Sequence, residues 1–468
     1  MKLSSTVPVT QGELIGGDCT FSHFATDSRT LKPGELFIAL RGDNFDGHAF
    51  VGKAQAVGAT AVVVEHHIPD CSLPQLVVAD TVLALGQIAQ LGRSTFSGPL
   101  IAITGSCGKT SVKGFAKAIF EQVGATLATQ GNYNNHIGVP LTLNRLTDEH
   151  EFAVVEMGTS GVGEISYLAG LAQPDIALVN NIRVAHIGGF GSIDAIATEK
   201  GAIYEALKQT PKPTRTAIIN LDDAFSGQYL AQTQSLNRIG FSVNPSAHAG
   251  ATVPCLLASN ITTTAQGFPC FTLEYQGQKH NICLQVLGSH FVSNALAASA
   301  CALAAGVSLD VIASGLQQYT GDNGRMQPVA PWLGGQQALV INDAYNANPG
   351  SVRAAIDFLA AQNTPYRVLV LGFMGELGEG EAMEHTSVGL YALEMGITHL
   401  VAIGNLPRLA AEVFGDTGFC VDDASAAAQT LVPFLNNEAT ILLKGSHSAA
   451  VDAVLPLLAE KSKGLSPC

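Results

Sequence analysis

The chain has 468 residues, 47% of them hydrophobic and 13% charged, with a formal net charge of −14. At roughly 100–200 residues per domain this predicts two to four domains. The composition excludes a disordered chain, and the acidic balance excludes nucleic-acid binding through phosphate neutralisation.

The opening residues, MKLSSTVPVT, lack the apolar core of a secretory signal. The longest apolar helical stretch, ALAASACALAAGV from Ala295, is too short to span a bilayer. Nine cysteines, an odd number with no CxxC pair, predict neither a disulfide framework nor a zinc site and suit a reducing cytoplasm.

In chain order, ELFIAL, ATAVVVE and QLVVAD read as short strands and TVLALGQIAQLGR as a helix. They predict a small α/β domain over 1–97, ending in the linker-like TFSGP. LIAITG then reads as a buried strand feeding the helix KTSVKGFAKAIFEQV, whose apolar residues recur at spacings of three and four. FAVVEMG, IALVNNI and TAIINLD are further strands, with SIDAIATEKGAIYEALK helical between them. This alternation predicts a mostly parallel sheet with its ligand at the strands' carboxyl ends. FPCFTLEYQGQKHNICLQVLG reads as a hairpin, followed by a helix from about Phe291 to Gly306. This central domain is assigned to 98–322. From GDNGRMQP onward, ALVIND, RVLVLG, HLVAIG and TILLKG are strands separated by helices, a second doubly wound sheet over 323–468.

One motif carries chemistry on its own. ITGSCGKTS, Ile103–Ser111, joins a strand to a helix and resembles a phosphate-binding loop, although Ile103 stands where the usual pattern has its first glycine. Gly105 and Gly108 permit backbone turns closed to other residues. The N–H groups of Gly105 to Ser111, with Ser106 and Cys107 between the glycines, can face phosphate oxygens. Lys109 supplies a compact positive charge near the β- and γ-phosphates, and the Thr110 hydroxyl suits Mg²⁺. Glu156, ending the strand of AVVEMG, is a hard oxygen ligand for the same ion. Read from the residues alone, His186 is a histidine after a strand, Lys200 an ordinary surface lysine of a helix, and DAYNANP a capped turn.

The shortened loop, T-G-x-x-G-K-T-S, resembles that of the Mur ligase family, ATP-dependent amide ligases of peptidoglycan precursor synthesis. HFVSNALAA and GDNGRMQP resemble further family segments, and GNYNNHIGVP and DAYNANP resemble their forms in its dipeptide-adding branch. TDSRTLKPGELFIALRGDNFDGHAF resembles the family's uridine-diphosphate-binding segment. The resemblance implies a three-domain α/β fold: a small N-terminal α/β domain for the UDP substrate, a central P-loop parallel-sheet ATPase domain, and a C-terminal Rossmann-like domain that closes on ATP and binds the incoming amine. It implies ATP and two Mg²⁺ ions as cofactors, with Thr110, Glu156, His186 and a carbamylated Lys200 at the metal site. Asn294, Asn346 and Asn348 would lie near the base, Asp343 at the ribose and Arg325 at the phosphates. Ser28, Arg29, Asp46, Gly47 and His48 would line the uridine site.

The implied substrates are UDP-N-acetylmuramoyl-tripeptide and D-alanyl-D-alanine, joined through an acyl phosphate by a cytoplasmic monomer. The D-N-P-R acceptor motif of another branch is absent. Phe373 stands where the family commonly has aspartate, His447 where it has arginine, Gly188 where it has glutamate and Cys107 where it has serine or threonine. A relative using a different amine, or a nucleotide-binding regulator without catalysis, are the alternatives at this point.

Overall fold

The computed structural model describes every residue except 43–44, 184–189, 211–214, 245–252, 265–266, 330–337, 376, 436 and 463–468. Among the described residues, three large sheets and a two-stranded ribbon, Arg41–Gly42 with Phe45–Asp46, organise the chain.

The first sheet has five strands in the order Glu13–Ile15, Gln75–Val77, Ala61–Val64, Leu36–Ile38, Phe24–Ala25. Only the Glu13–Ile15 strand runs antiparallel to its neighbour. The helix Thr81–Thr95 starts on Asp80, whose carboxylate accepts from the N–H groups of Val82 and Leu83. The far end of this helix fastens the unit to the centre. The buried Arg93 guanidinium donates to the carbonyls of Ala172 and Gln173 and to Asp175. These carbonyls end the helix Glu164–Ala172, where intrahelical partners run out. Gly86 allows the close approach, since a Cβ there would lie 2.3 Å from the Tyr167 hydroxyl.

The second sheet has nine strands: Gln278–Cys283, Pro269–Tyr275, Cys255–Thr263, Asn237–Ser242, Thr216–Asn220, Ile176–Val179, Leu100–Thr104, Phe152–Glu156, Thr126–Ala128. The last seven in that order are mutually parallel. Leu100–Thr104 is buried throughout, as a strand covered on both faces must be. From it the chain goes first to one side of the sheet and later to the other, so its carboxyl end is the switch point where ligands bind in such sheets. The helix His290–Ala304 is almost wholly buried and packs on Lys109–Phe120, where Phe291 meets Phe115 edge-on.

The predicted hairpin is present, with Gln276 and Gly277 both at positive φ (48° and 84°) as a two-residue hairpin turn requires. One expectation from the cysteines is corrected there. Cys270 and Cys283 face each other in register across the hairpin and are joined by a disulfide. Parity and CxxC spacing say nothing about two cysteines that strand register brings together.

The third sheet has the order Gln327–Pro328, Leu339–Asp343, Ala439–Lys444, Tyr366–Leu371, His399–Ile403, Gly418–Val421. All its pairings are parallel except that of Gln327–Pro328. The carboxyl-end loop after Leu339–Asp343 reaches the phosphate-loop end of the central sheet.

Candidate active site

The loop Gly105–Gly108 leaves the switch-point strand with both glycines at positive φ, 150° and 78°. At Gly108 a Cβ would fall 2.5 Å from Asn294 Oδ1 and 2.7 Å from Asn180 Nδ2, so glycine is required there. The segment after Ile176–Val179 holds the loop from behind. Asn181 accepts from the backbone N–H of Ser106 and, through its side chain, of Cys107, at 2.9 Å each. The amides of Asn180 and Asn181 donate back to the Cys107 carbonyl. The helix Lys109–Phe120 that follows has no side-chain cap. Its first N–H groups and dipole therefore suit an external anion.

Lys109 is half-buried, and its ammonium donates to the Gly105 carbonyl at 2.7 Å. Burial pulls its pKa down, partly opposed by Glu156 and Cys107. Thr110 stands at a junction: its hydroxyl donates to Glu156 Oε1 at 3.3 Å and accepts from Arg325 Nη2 at 2.9 Å. Ser111, next along the helix, is buried.

Glu156 is only 2% exposed. Its Oε1 also accepts from Asn134 Nδ2 at 2.9 Å, and its Oε2 lies 3.2 Å from Lys113 Nζ but has no hydrogen bond. Burial raises the carboxyl's pKa, yet Lys113, Lys109, Asn134 and Arg325 together hold it below the ordinary glutamate range. Oε1, which meets the Thr110 hydroxyl, is the oxygen that a hard cation such as Mg²⁺ would share with Thr110, while Oε2 faces the Lys113 ammonium. Among the described residues no cluster of three or more His, Cys, Asp or Glu side chains forms a ready metal cage. His186 and Gly188 lie outside the described residues.

The surface role read for Lys200 is corrected. It sits on the inner face of the helix Ile193–Gln209, 2% exposed. Its pKa falls to about 7, first through burial and then through the Lys109 charge. The adjacent Glu199 is spent elsewhere, accepting from the N–H groups of Gly163 and Ile165 at the start of a neighbouring helix.

Asn294 packs behind the loop, its oxygen accepting from Asn180 Nδ2 at 3.0 Å. From the third sheet, the Arg325 guanidinium stacks on Tyr345, 4.4 Å from the ring centroid, while reaching Thr110. Asp343 accepts from the Met326 N–H and pairs with Lys444. Asn346 is exposed. Asn348 is the N-cap of the helix Pro349–Ala360, in a capping box with Ser351, so the turn reading of DAYNANP holds for this residue. Its amide also touches the Cys107 thiol, at 3.5 Å from Oδ1 and 3.4 Å from Nδ2. Phe373 stacks on His385, and His447 meets the Tyr345 ring edge-on.

A separate cavity of about 350 Å³ opens in the first unit, lined by Thr26 to Arg29, Phe37, Phe45, Phe50 and Lys53. Phe45 and Phe50 are 50% and 39% exposed and stack at 5.7 Å. Ser28 and Arg29 line this cavity, and Asp27 holds Arg29 by a two-oxygen ion pair, Oδ1 accepting from Nε and Oδ2 from Nη2. Asp46, Gly47 and His48 build the turn between the two phenylalanines. His48 Nε2 accepts from the Glu65 N–H, so Nδ1 carries the proton and donates to Asp46 at 2.6 Å. Gly47 leaves no room for a Cβ, which would lie 2.7 Å from the Leu40 carbonyl.

Sequence reasoning passed over Lys53, Phe45, Phe50, Lys113, Tyr345 and Lys444. A signal existed for Lys113, which lies one helical turn after Lys109 and so shares its face.

An uncapped phosphate loop at a switch point, a buried carboxylate beside its threonine and an arginine arriving from another sheet define a P-loop nucleotide enzyme of three α/β units. Residues 20–92 match the catalytic domain of the Mur ligase family, 103–302 the Mur ligase middle domain and 324–447 the Mur ligase glutamate ligase domain. Over 461 residues the chain is 39% identical to the UDP-N-acetylmuramoyl-tripeptide–D-alanyl-D-alanine ligase of Escherichia coli strain K12, covering 98% of each chain. The crystal structure of MurF from Acinetobacter baumannii superposes with a TM-score of 0.87 at 34% identity, covering 98% of each chain. MurF from Thermotoga maritima, solved with ADP, shares the fold at a TM-score of 0.80 and 23% identity, covering 94% of this chain and 98% of that one. The chain belongs to the Mur ligase family.

Proposed function

We propose that the protein is the ATP-dependent ligase that adds D-alanyl-D-alanine to UDP-N-acetylmuramoyl-tripeptide in peptidoglycan precursor synthesis. The observation that carries this reading is the convergence on Thr110 of the phosphate loop, Glu156 and Arg325, in a chain related along its whole length to ligases of that name. In the proposed division of labour, 1–97 holds the UDP portion, 98–322 holds ATP, and 323–468 closes on ATP and receives the amine.

A carboxylate is a poor electrophile toward an amine in water. The tripeptide carboxylate therefore attacks the γ-phosphorus of ATP, ADP departs, and an acyl phosphate forms. The amine of D-alanyl-D-alanine then attacks the acyl carbon, the tetrahedral adduct collapses, and phosphate leaves with the new amide in place. Both partners of the first step are anions. Lys109, the uncapped helix start and Arg325 offset that repulsion and stabilise the charge on the transferring phosphoryl group. Thr110 and Glu156 are the residues that would hold Mg²⁺, which when bound supplies further charge screening at the phosphates. Family resemblance makes Lys200 the lysine that is carbamylated. A pKa of about 7 supports this, because only the neutral amine adds carbon dioxide.

The exposed aromatic pair Phe45–Phe50, with Arg29 and Lys53 beside it, offers a stacking surface and cations to a uridine diphosphate. No helix among the described residues is long and apolar enough to cross a membrane. We place the enzyme in the cytoplasm as a monomer, in keeping with the phosphate loop, Glu156, Lys200 and Arg325 all coming from one chain.

The test is phosphate release and product mass with purified protein. Release only when ATP, UDP-tripeptide and D-alanyl-D-alanine are all present is the expected result. Release independent of the amine, or product only with another acceptor, refutes the reading.

A further inference from the structure

Lys444 ends the strand Ala439–Lys444, which lies inside the third sheet between Leu339–Asp343 and Tyr366–Leu371. Its side chain is 3% exposed. The ammonium has three donors and finds three oxygens: the Asn346 carbonyl at 2.6 Å, the Asp343 carbonyl at 3.1 Å and Asp343 Oδ2 at 3.0 Å. Asp343 and Lys444 are register partners, so the sheet itself fixes this contact.

The other oxygen of Asp343 faces the opposite way and accepts from the Met326 N–H at 3.0 Å. Met326 is buried, and its φ of 46° is a left-handed conformation that a methionine keeps only when its surroundings impose it. The residue before it is Arg325, which bridges to Thr110. The same loop steadies this segment once more, as the Tyr345 N–H donates to the Gly324 carbonyl and the Tyr345 ring carries the Arg325 guanidinium. A continuous series of contacts therefore runs from Lys444 through Asp343 and Met326 to Arg325 and the phosphate loop. A buried ion pair is a weak source of stability compared with apolar packing, so stability alone is a poor reason for a lysine here.

We infer that Lys444 is a positioning residue for the nucleotide. It orients the Asp343–Asn348 loop and, through Asp343, sets the turn that delivers Arg325 to Thr110. This rests on the ligase reading above and adds to it a residue that touches no substrate.

The experiment compares Lys444→Met and Lys444→Arg with the wild-type full chain, measuring steady-state kinetics and calorimetric ADP binding. For K444M, kcat/KM for ATP falls on the order of 10²-fold, as expected when a bound group is misplaced from a distance. KM for the UDP-tripeptide stays within about twofold of wild type, because that cavity is in the first unit. K444R keeps the charge and recovers at least part of the ATP effect. K444M with wild-type ATP kinetics and ADP affinity overturns the inference, as does an equal loss for the UDP-tripeptide. If circular dichroism shows K444M unfolded, Lys444→Gln, which keeps a donor for the carbonyls, is read by the same criteria. A wild-type chain that binds ADP but forms no amide refutes the ligase reading alone, and ADP affinity of the variants still decides the role of Lys444. A wild-type chain that does not bind ADP overturns both.

Discussion

Lys113→Met removes one ion from a pair that is almost completely dry. The side chains of Lys113 and Glu156 are 8% and 3% exposed, with nitrogen and oxygen 3.2 Å apart. At that separation and an effective dielectric of about 20, the attraction is on the order of 5 kcal/mol, and desolvation offsets much of it. Removing the lysine alone leaves the carboxylate buried, which costs about 3–5 kcal/mol in such pairs. Lys109 and Arg325 remain as partial counter-charges, so a loss of about 3 kcal/mol is expected at pH 7. The assay is denaturant unfolding of K113M, Glu156→Gln and the double variant. Coupling between the two sites should recover about 2 kcal/mol or more in the double variant. The pH dependence carries a sign. Glu156 is held below its ordinary pKa in the folded state. Its contribution is complete above the unfolded value of about 4.3 and is lost as pH falls through the folded value. In K113M the folded value rises, so the acid limb of the stability curve moves to higher pH. A single variant within about 0.5 kcal/mol of wild type, or a cycle with no coupling, refutes this account of the pair.

Lys109→Ala should keep its fold by circular dichroism while ligation slows on the order of 10²–10³-fold, and retained ligation would remove Lys109 from the phosphoryl-transfer machinery. Lys53→Ala should raise KM for the UDP-tripeptide about tenfold, the value of one charge-assisted contact, and leave KM for ATP unchanged. Lys200 titrates near 7 in the folded chain, far below an unfolded lysine at about 10.4. Between these values the unfolded chain binds the extra proton, so stability should rise with pH across that window in carbon-dioxide-free buffer, and Lys200→Met should flatten the slope.

The phosphate loop was legible in the sequence because its chemistry is local: two glycines, a lysine and a threonine act within a few residues of one another. The buried strands were equally legible, since a run such as LIAIT has no other place to go. Asn237–Ser242 and Cys255–Thr263 were missed because their polar residues interrupt any apolar pattern. Lys200 looked like a surface lysine because nothing in the residues around it announces burial. Lys113 needed a partner on a strand 43 positions away, and Lys444 one 101 positions away. For such residues the type alone is ambiguous, and tertiary contact decides what it does.

Arg93 divides the labour of movement. It holds the first unit to the centre through several planar, directional bonds made in a dry setting, and bonds of that kind break rather than slide. The third unit meets the centre through polar contacts, Arg325 to Thr110 and Asn348 to Cys107, and through apolar ones, with Phe358 and Leu287 both close to Gly267; the apolar faces can shear past one another. Arg93 thus ties the unit that carries the Phe45–Phe50 cavity to the sheet that carries the phosphate loop. Under the proposed function, the peptide carried on UDP spans the distance from that cavity to the phosphate loop, so its length decides where its terminal carboxylate falls.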